Sequence, residues 1–332
     1  MDWTADVHTA DWLRDRIDDP WRGTMHDTVP RGFAAYARIF HPTTRSRPVD
    51  RAWPPLPQDR HRREWERFAD AQVEIETLPA TWADAAAAFG TQLHPLAQWG
   101  ALVRASGEGA NPSEWQHTRS PDGWEFDAPR EGELDPGVLA ALVRHLVEAT
   151  DPPVGYAAVW AGWGGLLGHM GVTASRAVLT LTTADEPDLA RHREMLAHST
   201  SDPFNRPYAT ETWQPGILPN DVSRGPQLQL PGRDHVLFRG DLDLFADPQW
   251  QAGVPWRDPE LQDAGFAQFA ASPSLLWPAD RSWVLVSEVD ADSTVVGARA
   301  EVIDRICADA AIEALPLPAD SSLQWNADEV NR

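Results

Sequence analysis

The chain has 332 residues, 42% of them hydrophobic, and a formal net charge of −22 from 50 acidic and 28 basic side chains. That apolar content can bury a core without disulfides or metals, and a lone cysteine, Cys307, excludes a disulfide-built secreted scaffold in favour of a reducing compartment. So negative a surface repels phosphate backbones, which argues against nucleic acid as a partner.

The N-terminal stretch MDWTADVHTADWLRDRIDD is acidic and lacks a continuous apolar run, so it does not read as a signal peptide. Residues 1–40 read as partly helical, with Thr9 or Asp11 as caps, and Phe33, Tyr36, Ala37 and Phe40 mark a short amphipathic turn or strand. Residues 41–63 carry five prolines and read as irregular. Arg62 to Asp70 has a helical pattern. Thr81 to Phe89 is a short helix that threonine caps, alanine fills and Gly90 stops.

The segment 105–137 is rich in Gly, Pro, Ser and Asp and reads as a long irregular connection. It divides an N-terminal subdomain, 1–104, from a main part, 138–332, within a single domain spanning 1–332. Asp135 to Ala149 is the strongest helix, with Val138, Leu139, Leu142, Leu146 and Val147 in an apolar stripe. Val154–Ala161 reads as a strand feeding a glycine-rich turn, Ala177–Thr183 as a strand and Glu186–Ala197 as a helix. After a proline-rich connection at 199–233 come a strand at His235–Arg239 and another at Trp283–Val289. A helix at Gly297–Cys307 and a closing strand near Ile312–Leu317 follow. Neither Val154–Gly171 nor Trp283–Val289 is long or apolar enough to span a bilayer, so composition points to a soluble cytoplasmic protein without a membrane partner. The uneven alternation of elements predicts an α+β fold with a mixed or antiparallel central sheet and helices packed on it.

Chemistry concentrates where the Trp283–Val289 run ends. Side chains two apart in an extended chain share a face, so Glu288, Asp290 and Asp292 form a candidate carboxylate cluster for Mg²⁺ or Ca²⁺, or for general acid–base work. The bland alternative is a polar turn in which Asp292 or Ser293 caps the next helix. Glu288 lies inside an apolar run and needs a partner, for which Arg239 or Arg281 is the expectation. His235, opening its strand, joins Glu288, Asp290 and Arg281 as a catalytic candidate; Trp277, Arg239 and Trp163 are ligand-contact candidates.

Other signals are weaker. The turn Gly162-Trp163-Gly164-Gly165 lacks the GxGxxG spacing and the GK[ST] ending of phosphate loops, so tight packing explains it better. None of the eleven histidines falls into a metal signature: His192 and His198 are six apart, His94 precedes a proline, and His169 sits by the glycine turn. No GxSxG elbow is present, and Cys307 reads as a buried helical thiol. Between Arg45 and Arg63 six arginines face two acids, an excess that suits an anionic ligand or, more simply, the protein's own acidic surface.

Three blocks, PRGFAAYARIFHP (Pro30–Pro42) with LHPLAQWGAL (Leu93–Leu102), VWAGWGGL (Val159–Leu166) and SPSLLWPADRSWVLVSEVDADSTVVG (Ser272–Gly297), resemble a group of uncharacterised, mostly actinobacterial cytoplasmic proteins of about this length. The last block ends VVGAR where that group has a second glycine. No activity is established for the group, so the resemblance implies a protein built as one unit and transfers no catalytic residue.

Charge then ranks the functional readings. Residues 1–104 hold 15 acids and 13 arginines, whereas residues 105–332 hold 35 acids and 15 arginines. With 17 tryptophans available as anchors, this favours a non-enzymatic protein-binding role of the immunity or antitoxin kind, with a basic protein partner and no cofactor. The alternative is a hydrolase or metal-dependent enzyme using Glu288, Asp290 and Asp292. A sugar-binding module would need tryptophans lining one exposed groove.

Overall fold

The computed structural model describes residues 1–18, 22–103, 117–172, 211–266 and 269–331. In chain order the strands are β1 (Asp2–Trp3), β2 (Ala35–Phe40), β3 (Thr43–Pro48), β4 (Ile75–Ala80), β5 (His117–Arg119), β6 (Glu125–Asp127), β7 (Val154–Trp160) and β8 (His169–Gly171). They continue with β9 (Thr212–Gln214), β10 (Leu228–Leu230), β11 (Arg233–Asp241), β12 (Leu275–Pro278), β13 (Val284–Val286), β14 (Ser293–Ala298) and β15 (Ala314–Leu317).

Nine of them form an antiparallel sheet in the order β1-β11-β7-β12-β13-β14-β2-β15, with β10 also on β11; β4-β3-β6-β5 form a second sheet, and β8 and β9 a separate pair. The fold is α+β. Both faces of the main sheet are covered. On one, Leu139, Leu142, Val143 and Leu146 of the helix Pro136–Val147 and Val302, Ile303 and Ile306 of the helix Ala300–Ala308 pack on Ala157, Val159, Val236, Phe238 and Leu285. Each such side chain contributes about 1.5–3 kcal/mol on burial. The Asp135 side chain, which caps the first helix at Gly137 and Val138, adds about 1 kcal/mol, so packing decides where that helix lies. On the other face the N-terminal segment contributes Trp12, Leu13, Met25 and Val29 against Leu237, Leu275, Trp277 and Val286.

The two sheets share a chain. β2 runs through His41 and Pro42 directly into β3, so one ribbon passes from the nine-stranded sheet to the four-stranded one. Arg38 on β2 is 1% exposed: Nε donates to Ser293 Oγ at 2.8 Å, Nη1 to the carbonyls of Pro95 and Ala97, and Nη2 to Asp292 Oδ1 at 3.3 Å. Burial works against that guanidinium's charge, and Asp292 supports it. His41 is fully buried, with Nδ1 2.7 Å from the Arg130 carbonyl and Nε2 2.9 Å from Thr294 Oγ1.

Several expectations change. Within the proline-rich stretch 41–63, β3 is a regular strand ending at Pro48, and within 105–137 the described part carries β5 and β6. Residues 1–104 supply β1 and β2 to the main sheet, so that portion is not laid apart from the rest. The Trp283–Val289 strand shrinks to β13, Val284–Val286. Leu275–Pro278, where no strand is expected, is β12, its proline confined to the strand's end. Gly297, expected to begin a helix, lies in β14, and the helix starts at Ala300. The Ala177–Thr183 and Glu186–Ala197 elements lie outside the described residues.

Candidate functional site

Pro231 and Gly232, the latter at φ 84°, make the tight turn between β10 and β11 that only a left-handed residue permits. Arg233 and His235 follow on one face of β11, two residues apart. Across β7 and β12, the far end of β13 arrives beside them: Ser287 N donates to the Ser274 carbonyl at 2.8 Å, and a turn follows in which Ala291 N reaches the Glu288 carbonyl at 3.0 Å. The Asp27–Thr28 segment closes the other side. A small, partly open cleft lies between these parts, bordered by Ile17, Leu230, Leu275 and Val286 and by the polar residues Asp27, Arg233, His235, Ser274 and Glu288.

Arg233 organises the carboxylates. Its Nε lies 2.5 Å from Glu288 Oε1, its Nη2 bonds Asp290 Oδ2, and the guanidinium lies over the Trp160 ring, 5.0 Å from its centroid. Glu131 stands nearby, its carboxyl raised above the usual range by burial and then by Asp292 and Asp290. His235 is 4% exposed and its Nδ1 has no hydrogen-bond partner. Burial, reinforced by Arg233, pushes its pKa down to about 4 against a slight opposing pull from the backbone of Arg233 and Leu228. It is a neutral ring at physiological pH. Two more polar atoms in residues lining the cleft are buried without partners, Ser274 Oγ and Asp27 Oδ1. Behind the cleft, Thr294 Oγ1 lies 3.0 Å from Ser287 Oγ and 2.9 Å from His41 Nε2; its single proton has two acceptors in reach. That hydroxyl chain fixes the wall from which Ser287 and Glu288 emerge.

The structure thus brings three of the sequence candidates together, Glu288, Asp290 and His235. It separates the others. Asp292 leaves the trio for Arg38, because β13 ends before the alternation reaches it. The cation beside Glu288 is Arg233, not Arg239 or Arg281. Arg239 stands exposed at the opposite end of β11, and Arg281 precedes β13 with its guanidinium 5.7 Å from the Trp12 centroid. Trp277 is fully buried and stacked on Tyr156, so it is a core residue rather than a ligand contact. Trp163 packs edge-on against Trp160, its Nε1 buried. His94 pairs with Asp328; Arg45 and Arg47, on β3, lie over Trp124, whereas Arg51, Arg60, Arg62 and Arg63 stand exposed. Half-buried Cys307 has its thiol pKa raised, by burial first and by Asp304 second. His192 and His198 lie outside the described residues.

Among the described residues, no group of three His, Cys, Asp or Glu side chains is placed to hold a metal ion, so the metal cluster Glu288, Asp290 and Asp292 is not assembled. Among them, too, no helix is long and apolar enough to cross a membrane. Arg233, Asp27 and Ser274 escaped the sequence reading. Arg233 alone left a trace, two residues before His235 in the same alternation, whereas Asp27 arrives from a segment remote in the chain. No family model, curated protein or solved structure matches this chain.

Proposed function

We propose that this chain is a non-catalytic binding protein for a basic protein partner. One observation carries the reading. At the end of the main sheet opposite the cleft, Asp151 before β7, Asp241 and Asp243 after the β11 core, and Asp280 after β12 stand exposed on three adjacent strands. None of the four has an ion-pair partner among the described residues. At the cleft end, by contrast, Glu288 and Asp290 are held by Arg233. The portion 105–332 carries the bulk of the −22 charge. Exposed, unpaired carboxylates attract a cationic surface at long range and keep their hydration until docking.

The test is titration of the full chain with an arginine-rich peptide as a function of NaCl. Asp241→Asn/Asp243→Asn/Asp280→Asn is compared with a control, Asp263→Asn/Glu301→Gln/Asp304→Asn, that removes equal charge from exposed positions elsewhere. Three exposed pairs at about 0.5 kcal/mol each predict a weakening of about tenfold for the first variant only. Equal weakening by both variants would reduce the effect to general polyelectrolyte attraction and end the proposal.

A further inference from the structure

The arginine-rich stretch that follows β3 belongs neither to the acidic rim nor to the cleft. We infer that this surface docks on the acidic rim of a second copy of this chain, so that copies associate head to tail. The inference deepens the protein-binding reading and rests on it, because it names a partner for the same rim.

Beyond Pro48 the chain turns and enters the helix Arg62–Asp70, none of whose residues is buried. Trp65 and Phe68 of that helix pack on Trp53, with ring centroids 6.3 and 5.5 Å from its own. Trp65 Nε1 also donates to the Pro55 carbonyl at 3.0 Å, so loop and helix form one unit. All three rings stay partly exposed, and Leu56, next to that carbonyl, is 41% exposed. Accessible tryptophan beside arginine is the composition of an interface anchor. Arg51, Arg60, Arg62 and Arg63 are exposed on this unit, none has an ion-pair partner among the described residues, and the acids between Arg51 and Glu64 are only Asp59 and Glu64 itself. The complement stands on the same chain. Leu242 N donates to the Pro153 carbonyl at 2.7 Å and Ala279 N to the Val154 carbonyl at 2.9 Å, which holds the turns bearing Asp151, Asp241, Asp243 and Asp280 side by side. Pro152 and Ala279, exposed among those acids, offer the rings an apolar contact. Within one chain the two surfaces do not meet. β2 runs from the rim end of the main sheet to the cleft end, and β3 carries the arginines onward from there. The contact therefore joins different surfaces of two identical chains and can repeat from copy to copy. The net charge of −22 repels copies at a distance, but salt screens that repulsion beyond about 8 Å at physiological ionic strength, whereas charges in contact still pair.

The experiment is sedimentation of the full chain over a range of concentrations at about 0.15 M NaCl. The average mass is expected to rise with concentration above that of one chain and to fall back in about 1 M NaCl. Arg60→Glu/Arg62→Glu/Arg63→Glu and Asp241→Arg/Asp243→Arg/Asp280→Arg each place like charges across the contact and should associate at least tenfold more weakly. Mixed in equal amounts, the two variants should associate again, because each supplies the charge that the other has lost. Asp241→Asn/Asp243→Asn/Asp280→Asn takes the place of the second variant if that one does not fold, and it still recovers one contact in the mixture. A wild-type chain that stays single at its highest soluble concentration, or variants that remain apart when mixed, overturns the inference. The glutamate variant keeps its rim and should still bind the arginine-rich peptide. Peptide binding that depends on the rim without association of the wild type ends this inference alone, whereas peptide binding indifferent to the rim ends the protein-binding reading.

Discussion

Gly132 lies so close to Val289 that a β-carbon on it would sit 2.6 Å from the Val289 Cα and carbonyl oxygen. Its φ of 68° is itself a conformation that side-chain-bearing residues avoid, and its N–H donates to the Ala291 carbonyl at 2.9 Å. The contact clamps the turn that carries Glu288 and Asp290 toward Arg233. Gly132→Ala should therefore cost more than about 2 kcal/mol of stability in urea unfolding, because the obstacle is backbone and cannot rotate away. A loss below about 0.5 kcal/mol would mean that the turn shifts freely.

Acid should destabilise the protein through its buried histidines. In the unfolded chain histidine titrates near 6.5, whereas in the folded protein His235 titrates near 4 and His41 is also lowered by burial. Between those values the unfolded state binds more protons, so stability is complete above pH 6.5 and falls as pH drops toward 4. His235 alone should remove about 2 kcal/mol between pH 7 and pH 5. Denaturant unfolding at the two pH values, repeated on His235→Leu, checks this: the variant should lose about that much of the slope. An unchanged slope would show that His235 titrates normally.

Glu313 acts as a cap on a helix far away in sequence. Its Oε2 accepts from Trp82 N at 2.7 Å and its Oε1 from Ala83 N at 2.8 Å, beside the Thr81–Asp84 capping box. Burial raises its pKa while the two N–H bonds oppose the rise. Glu313→Gln replaces one acceptor by an amide that faces an N–H group. The expected loss is about 1–2 kcal/mol at pH 7, read by thermal or urea unfolding. Indifference to the change would mean that water replaces the cap.

Local patterns carried the legible part of the architecture. The helix after Asp135, the capped helix after Thr81 and the strands around Val154 and His235 were visible because apolar period, caps and β-branched runs are local properties. The site was half visible for the same reason: His235 and Glu288 each stand at the end of an apolar run. The partner of Glu288 was not visible. Arg233 and Arg239 lie six residues apart on one strand, and strand register, a long-range property, brings the first to Glu288 and carries the second to the opposite end. Trp277 misled because prolines flank its Leu-Leu-Trp run; Pro278 merely ends the strand that draws the ring into the core. Asp27 enters the cleft through tertiary packing of the N-terminal segment, for which one sequence holds no periodic signal.

The placement of β2 has a consequence for how the protein is made. Its partners, β14 and β15, lie some 250 residues downstream, so a ribosome must synthesise both before Ala35–Phe40 can pair. Until then both edges of an almost wholly apolar strand, Arg38 among them, remain open to chaperones or to neighbouring nascent copies, while β3 finds β4 early. The main sheet therefore closes late in synthesis, and the emergence of β14 and β15 is the event that permits it.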